Sequence, residues 1–405
     1  MAADPVSPFS DARAAGLSER TRYDRRRRKR RRRGLMRLAA LIVLVALLPV
    51  AYSYVSTMLK PSSLPLGVRS VEWLRAHGGA WLVNDVERVY YTWNAPAKGG
   101  PQLRTLPAVG KHAVSGPTAA ARAYRPARIH SPLRPALAGE GVWHATGPAV
   151  GGAPPVLVTT FRTDPAYPRL VAYVAWLDHT RTRLALYPGR YEPPSSAPRG
   201  PMEVPWGQRW RLLATFNSGF TYRDGHGGFA VNGTSYTPLS PGMGTVVAYR
   251  SGRVDVVSWH GGRVPGRDVV LARQNLPLIV DGGRPNPNLS DGPAWGATLG
   301  NAIRVWRSGI GVDRHGNLIY AAADYQTVGS LAAILIRAGA VRAMELDINA
   351  EWPSFITYAH GGGRVPTKLV PNTQQSATRY LVPDDRDFFA VYRWIPTGAG
   401  AVPFK

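Results

Sequence analysis

The sequence predicts an α+β fold: a large mixed, mostly antiparallel sheet with a few packed helices, preceded by one N-terminal transmembrane helix. Three observations predict it. Leu38 to Leu59 contains no charged residue, the next being Lys60. From Val156 onward, short apolar or alternating runs follow one another with Gly-rich turns between them, the signature of strands. Near the C-terminus one segment has a helical period instead, with Leu331, Ile334, Leu335 and Ala338 at i, i+3, i+4 and i+7.

The uncharged run is 22 residues long. At about 1.5 Å of rise per residue it crosses the roughly 30 Å hydrocarbon core of a bilayer. Just before it, Arg25 to Arg33 are nine consecutive basic residues. Positive charge stays on the cytoplasmic side, so the expected topology is N-terminus inside and the remainder outside. Residues 1–34 then form a basic cytoplasmic tail and 35–59 a single transmembrane helix that holds the protein in the cell membrane. A cleaved signal is the alternative, with Ala51-Tyr52-Ser53 as a small-residue cleavage site or Arg32-Arg33-Gly34-Leu35-Met36 as a twin-arginine signal. Either one still exports the rest. A basic block abutting a span already has a topological explanation, so no nucleic-acid partner is expected.

The chain has no cysteine, so an exported domain must be stable through its core alone. The residues after 60 suffice for one large domain or two ordinary ones. The tail accounts for +8 of the net charge of +25, with twelve Lys and Arg against four Asp and Glu, so the exported part is itself basic. Such a surface favours anionic partners: the lipid bilayer itself, or an envelope glycan or glycolipid that bears phosphate. Oligomeric state is not legible.

Between Ser62 and Trp93, Val68, Val71, Trp73, Leu74, Trp81, Leu82, Val86 and Val89 fall at mixed helical spacing and predict one or two short helices. Asn94 to Pro154 is rich in Pro, Gly and Ala and reads as a linker, so 60–154 is a membrane-proximal segment and 155–396 the domain proper. Strands are expected over Val156–Phe161, Arg169–Asp178, Leu184–Tyr187, Leu212–Asn217, Gly228–Val231, Gly244–Tyr249 and Val254–Trp259. Ser308–Asp313 and Asn317–Ala322 flank Arg314-His315-Gly316 as a hairpin. The amphipathic helix follows, with Thr327 as N-cap and Gly339 as its stop. Ala343 to Asp347 is then a strand that ends in polar residues, a common place for a site.

Three clusters put polar groups at strand ends: Asn217-Ser218-Gly219-Phe220, Arg307-Ser308-Gly309-Ile310-Gly311, and Glu345-Leu346-Asp347-Ile348-Asn349-Ala350-Glu351. Singly, each also reads as ordinary structure, a turn former, a surface charge or a cap. In combination, their order and spacing from about Val156 to Trp394 resemble the phosphodiester glycosidase family. That family shows an Asn-x-Gly-Phe-like element, an Arg-Thr/Ser-x-x-Gly hairpin, a helix, and a strand ending Leu-Asp-Gly-Gly. Here Ile348-Asn349 replaces the glycine pair. Glycine permits close approach or positive φ, so the replacement bears on the shape of the pocket and on the substrate.

The resemblance implies cleavage between a sugar's anomeric carbon and a phosphodiester oxygen. An oxocarbenium-like transition state needs a carboxylate, for which Asp347 is the first candidate and Glu345 the second. At i and i+2 of a strand they are expected to share a face. The leaving phosphate has a second pKa of about 6 and needs charge stabilisation more than protonation. Arg307 suits that role because a guanidinium grips two oxygens at once, with Ser308 and Asn217 as further donors. Gly219 and Phe220 complete the Asn217 element, and Asn349 and Glu351 are polar groups available to line the pocket. The nine histidines show no HExxH or paired spacing, so neither metal nor cofactor is expected. Two other functions fit the same residues, a non-catalytic module that binds anionic wall polymer and a glycosidase acting on phosphate-free glycans.

Overall fold

The computed structural model describes residues 9–110, 124–291, 293–296, 304–360, 364–371 and 375–394. They form two compact units. The first holds helix α1 (Phe9–Leu59) and most of α2 (Leu66–Leu74). From Arg28 to Leu59, α1 is long and apolar enough to cross a membrane. Its Leu41, Ile42 and Val43 are exposed. Within this unit, Trp73 sets its ring edge-on to Tyr54 at 5.2 Å and donates Nε1–H to Ser53 Oγ at 3.2 Å.

The second unit carries α3 (Ala80–Trp93), the short α4 (Tyr222–Gly225), α5 (Val328–Arg337) and all the strands. In chain order these begin with β1 (His144–Ala145), β2 (Val156–Asp164), β3 (Tyr167–Leu177), β4 (Thr182–Tyr187), β5 (Leu212–Asn217) and β6 (Phe229–Val231). They continue with β7 (Thr234–Thr237), β8 (Gly244–Tyr249), β9 (Val254–Ser258), β10 (Val269–Gln274), β11 (Leu278–Asp281) and β12 (Arg284–Pro285). The rest are β13 (Val305–Asp313), β14 (Leu318–Gln326), β15 (Ala340–Glu345), β16 (Phe355–His360), β17 (Arg364–Lys368) and β18 (Phe388–Arg393).

The expected antiparallel architecture is present, divided among three sheets. An eight-stranded sheet runs β1-β2-β3-β14-β13-β15-β11-β12, and two five-stranded sheets run β7-β6-β10-β8-β9 and β17-β16-β5-β18-β4. Every pairing among the described strands is antiparallel. The division was not legible because many sheet partners lie far apart in sequence: β18 pairs with β4 and β5, and β5 pairs with β16, so local pattern does not assign them.

The eight-stranded sheet is buried on both faces, and the two-residue period of its strands shows how. Leu318, Tyr320 and Ala322 of β14 face a core shared with Phe216 and Phe389 of one small sheet and Val246 and Leu271 of the other. Ile319, Ala321 and Ala323 face α5, packed with its Leu331, Ile334 and Leu335. Gly309 of β13 lets that helix seat closely, since a Cβ there would stand 3.0 Å from Leu335 Cδ1 and from Met344 O. Thr327 caps α5 in a reciprocal box with Ser330, and Gly339 leaves the helix at φ +101°.

Part of the expected linker belongs to the fold. Ile129, Leu133 and Glu140 are buried, and Glu140 receives Arg162 Nε at 3.0 Å and Nη2 at 2.8 Å. Burial alone would raise the Glu140 carboxyl, but hydrogen bonds from Arg162 outweigh it and hold the group at about 2. Proline and glycine there mark irregular backbone; they do not mark exposure.

Candidate active site

The three polar clusters meet. Asn217 at the end of β5 donates Nδ2 to Ser308 Oγ at 3.0 Å and to Ser218 O at 2.9 Å. Its Oδ1 accepts from Tyr320 Oη and from the Ser354 amide, both at 2.9 Å. Both donors and both lone pairs of the amide are therefore engaged. Ser308 Oγ in turn donates to Asp347 O at 2.7 Å, and the Asp347 amide donates to Ser218 O at 3.2 Å. Asn217 and Ser308 thus tie the end of β5 to the segment after β15, and Asn217 also borders the cleft described below.

Glu345 and Asp347 meet different arginines, Arg307 and Arg386, although the Asp347 charge still reaches Glu345 and adds to the rise of its carboxyl. Strand β15 ends at Glu345, and beyond it the alternation that would place i and i+2 on one side no longer applies. Glu345 is fully buried and accepts Arg307 Nη1 at 2.5 Å. Burial pushes its carboxyl up to about 7, against the downward pull of the Arg307 charge. Arg307 also donates Nε to Gln326 O at 3.0 Å and Nη1 to Trp295 O at 3.1 Å, and only 1% of its side chain is exposed. Its guanidinium meets interior partners and does not line the cleft around Asp347, where it was expected to grip a ligand phosphate. Arg307 lies on β13 inside the eight-stranded sheet, and its partners Glu345, Gln326 and Trp295 are all interior.

Asp347 instead meets Arg386, whose Nη2 lies 2.7 Å from Asp347 Oδ2 and 3.1 Å from Gly219 O. Its other oxygen, Oδ1, accepts the Asn349 amide at 3.0 Å, and Asn349 Oδ1 accepts the Glu351 amide at 3.1 Å. Burial raises the Asp347 carboxyl and Arg386 opposes the rise. Ile348, in place of the family's first glycine, packs with Phe220, Val305 and Tyr91. Neither Ile348 nor Asn349 has positive φ, so side chains fit this turn without backbone strain.

Asn217, Ser218, Gly219, Asp347, Trp352, Arg379, Arg386 and Asp387 surround a cleft of about 10 Å³, room for about one water molecule. Trp352 closes one side, with Arg386 at 4.4 Å and Arg379 at 5.0 Å from its ring centre. Two donors in this wall, Ser218 Oγ and Arg379 Nη1, are buried without a hydrogen-bond partner among the described residues.

Sequence reasoning passed over the segment that supplies much of this wall. In Asp384-Asp385-Arg386-Asp387 each side chain pairs with a different partner. Asp384 accepts Arg379 Nε at 2.6 Å, Asp385 pairs with Arg190, and Asp387 accepts Arg273 Nε at 2.7 Å. Four charges in a row immediately before the apolar strand β18 were the available signal. Among the described residues no group of three or more His, Asp or Glu side chains is placed to hold a metal.

Fold and site together define an antiparallel α+β domain with a carboxylate and two guanidinium groups at the converging ends of its strands. Residues 212–347, from the start of β5 to Asp347, match the model of the phosphodiester glycosidase family. The chain thus carries a phosphodiester glycosidase-like domain. Among solved structures it is similar to the zebrafish N-acetylglucosamine-1-phosphodiester alpha-N-acetylglucosaminidase catalytic domain auto-inhibited by its pro-peptide, at 15% identity and a TM-score of 0.39, covering 62% of this chain and 87% of that one. It is also similar to a hypothetical protein from Synechocystis, at 14% identity and a TM-score of 0.36, covering 61% of this chain and 64% of that one. No curated protein matches by sequence.

Proposed function

We propose that this protein is a membrane-anchored, extracytoplasmic hydrolase that cleaves sugar-phosphodiester linkages in envelope glycans or glycolipids, with Asp347 as its central carboxylate. The observation that carries this reading is the position of Asp347: it is the last residue of the family match and it faces Arg386 in the cleft. Arg386 and Arg379 take the phosphate-binding role first expected of Arg307. Ser218 Oγ and Arg379 Nη1 add support, since an unmet buried donor costs about 1–3 kcal/mol and a phosphate oxygen satisfies it.

In the reaction, the bond between the anomeric carbon and the phosphate oxygen breaks and its electron pair leaves on the oxygen. Water supplies the new hydroxyl on the sugar, and its other proton ends on the departing phosphate or the solvent. Asp347 faces the developing positive charge of the sugar. Arg386 and Arg379 stabilise the phosphate as its negative charge grows, an interaction strengthened by the low dielectric of the buried wall. In the substrate-free cleft Arg386 neutralises Asp347, so an arriving phosphate draws Arg386 away and leaves the carboxylate facing the sugar. Entry of a sugar requires Trp352 and Arg386 to move, because the closed cleft holds about 10 Å³.

The test is turnover of a sugar-1-phosphodiester by the full-length chain in lipid nanodiscs. Asp347→Asn, which keeps the shape and removes the charge, is expected to lower kcat by about 100-fold or more. Wild-type turnover in Asp347→Asn would overturn the assignment.

A further inference from the structure

A second cavity, of about 460 Å³, lies between β4, the edge strand of its sheet, and the strands β6, β8, β9 and β10 of the neighbouring sheet. It shares no lining residue with the cleft around Asp347. Its volume falls within the roughly 300–1,000 Å³ typical of ligand sites. Leu184, Leu186, Val254 and Leu271 form an aliphatic floor. Arg183 and Arg250 stand in the wall, and among the described residues no Asp or Glu lines the cavity.

Arg183 is the informative group. It is half-buried, it donates Nη1 only to the carbonyls of Thr182 at 3.0 Å and His179 at 3.3 Å, and no carboxylate among the described residues pairs with it. Burial lowers its pKa, and no acidic neighbour among the described residues offsets that. A guanidinium taken from water without a counter-charge is costly, and an anion in the cavity would relieve it. The aromatic rings nearby are less suited to a flat ligand. The Arg183 guanidinium lies 4.0 Å from the centre of Trp394, and that of Arg253 lies 4.4 Å from Tyr249, so each ring has a face occupied. What remains is aliphatic surface leading to positive charge.

We propose that this cavity binds an anionic amphiphile, a single hydrocarbon chain laid on the Leu184–Leu271 floor with its phosphate or carboxylate head at Arg183. It is a binding site apart from the hydrolytic one and does not depend on it.

The experiment uses the full-length chain in phosphatidylcholine nanodiscs and a dodecyl phosphate carrying a photoreactive diazirine at the chain end, with labelled residues mapped by mass spectrometry. Labels are expected on β4 and on residues 248–254, competed by dodecyl phosphate and not by inorganic phosphate or dodecanol. Arg183→Gln should cut this labelling about tenfold, the factor equal to about 1.4 kcal/mol, while Arg183→Lys keeps most of it. Thermal melting checks that both variants fold. Labelling confined to residues 38–59, equal competition by dodecanol, or complete competition by inorganic phosphate would overturn the proposal. So would undiminished labelling in a folded Arg183→Gln.

Discussion

Replacing Arg307 with alanine separates an interior role from a phosphate-binding one. In the folded protein its guanidinium meets Glu345 Oε1 at 2.5 Å, and the two side chains are 1% and 0% exposed. Removing one partner of a buried ion pair costs about 3–5 kcal/mol, because the remaining charge is left without compensation. The carbonyls of Trp295 and Gln326 lose a donor as well. For a domain of this size about 1 kcal/mol moves Tm by roughly 2–4 °C, so Arg307→Ala should melt about 6–20 °C below wild type. The assay is thermal unfolding of the full-length chain in nanodiscs, followed by tryptophan fluorescence. Replacing both partners, Arg307→Met with Glu345→Met, should recover most of the loss, since an apolar pair of similar volume leaves no buried charge. A melting temperature within about 1 °C of wild type, together with a raised KM for a sugar phosphodiester, would return Arg307 to the substrate and refute this reasoning.

Other predictions are independent of that one. Glu345 is raised from 4.5 to about 7, so the folded state holds its proton more tightly than the unfolded chain does. Its contribution to stability is fully present below about 4.5 and is lost as pH rises through 7. Glu345→Gln should therefore flatten the fall in Tm between those limits, and an unchanged slope would exclude Glu345 as its source. Thr327→Ala removes the hydroxyl that accepts the Ser330 amide at 3.0 Å, and denaturant unfolding should show a loss of about 1 kcal/mol. Arg386→Ala should reduce kcat/KM by at least about tenfold, and Arg386→Lys should recover only part of it, because an ammonium cannot reproduce the planar fork. Equal activity of the two variants would argue against a two-oxygen grip.

How much could be read in the sequence depended on how local each feature is. The β13–β14 hairpin and α5 with its Thr327 cap and Gly339 stop are specified within a few residues, and they fold where expected. The three polar clusters were legible as strand-end residues, but that Asn217, Ser308 and Asp347 meet is a tertiary fact that local pattern does not carry. Which arginine faces Asp347 was not legible either. Arg307 lies within an apolar strand and Arg386 just before one, and only the side-chain contacts show that one meets Glu345 and the other Asp347 in the cleft. The partner of Glu140 was hidden for the same reason, since its ion pair with Arg162 joins a Pro-rich segment to a strand 22 residues away.

The most direct test of the central claim is hydrolysis of a sugar-1-phosphodiester by the full-length chain in water enriched in oxygen-18, with both products read by mass spectrometry. Cleavage at the anomeric carbon, with Asp347 facing the sugar and Arg386 the phosphate, places the label in the sugar hydroxyl and none in the phosphate. Label in the phosphate would mean attack at phosphorus and would contradict the account.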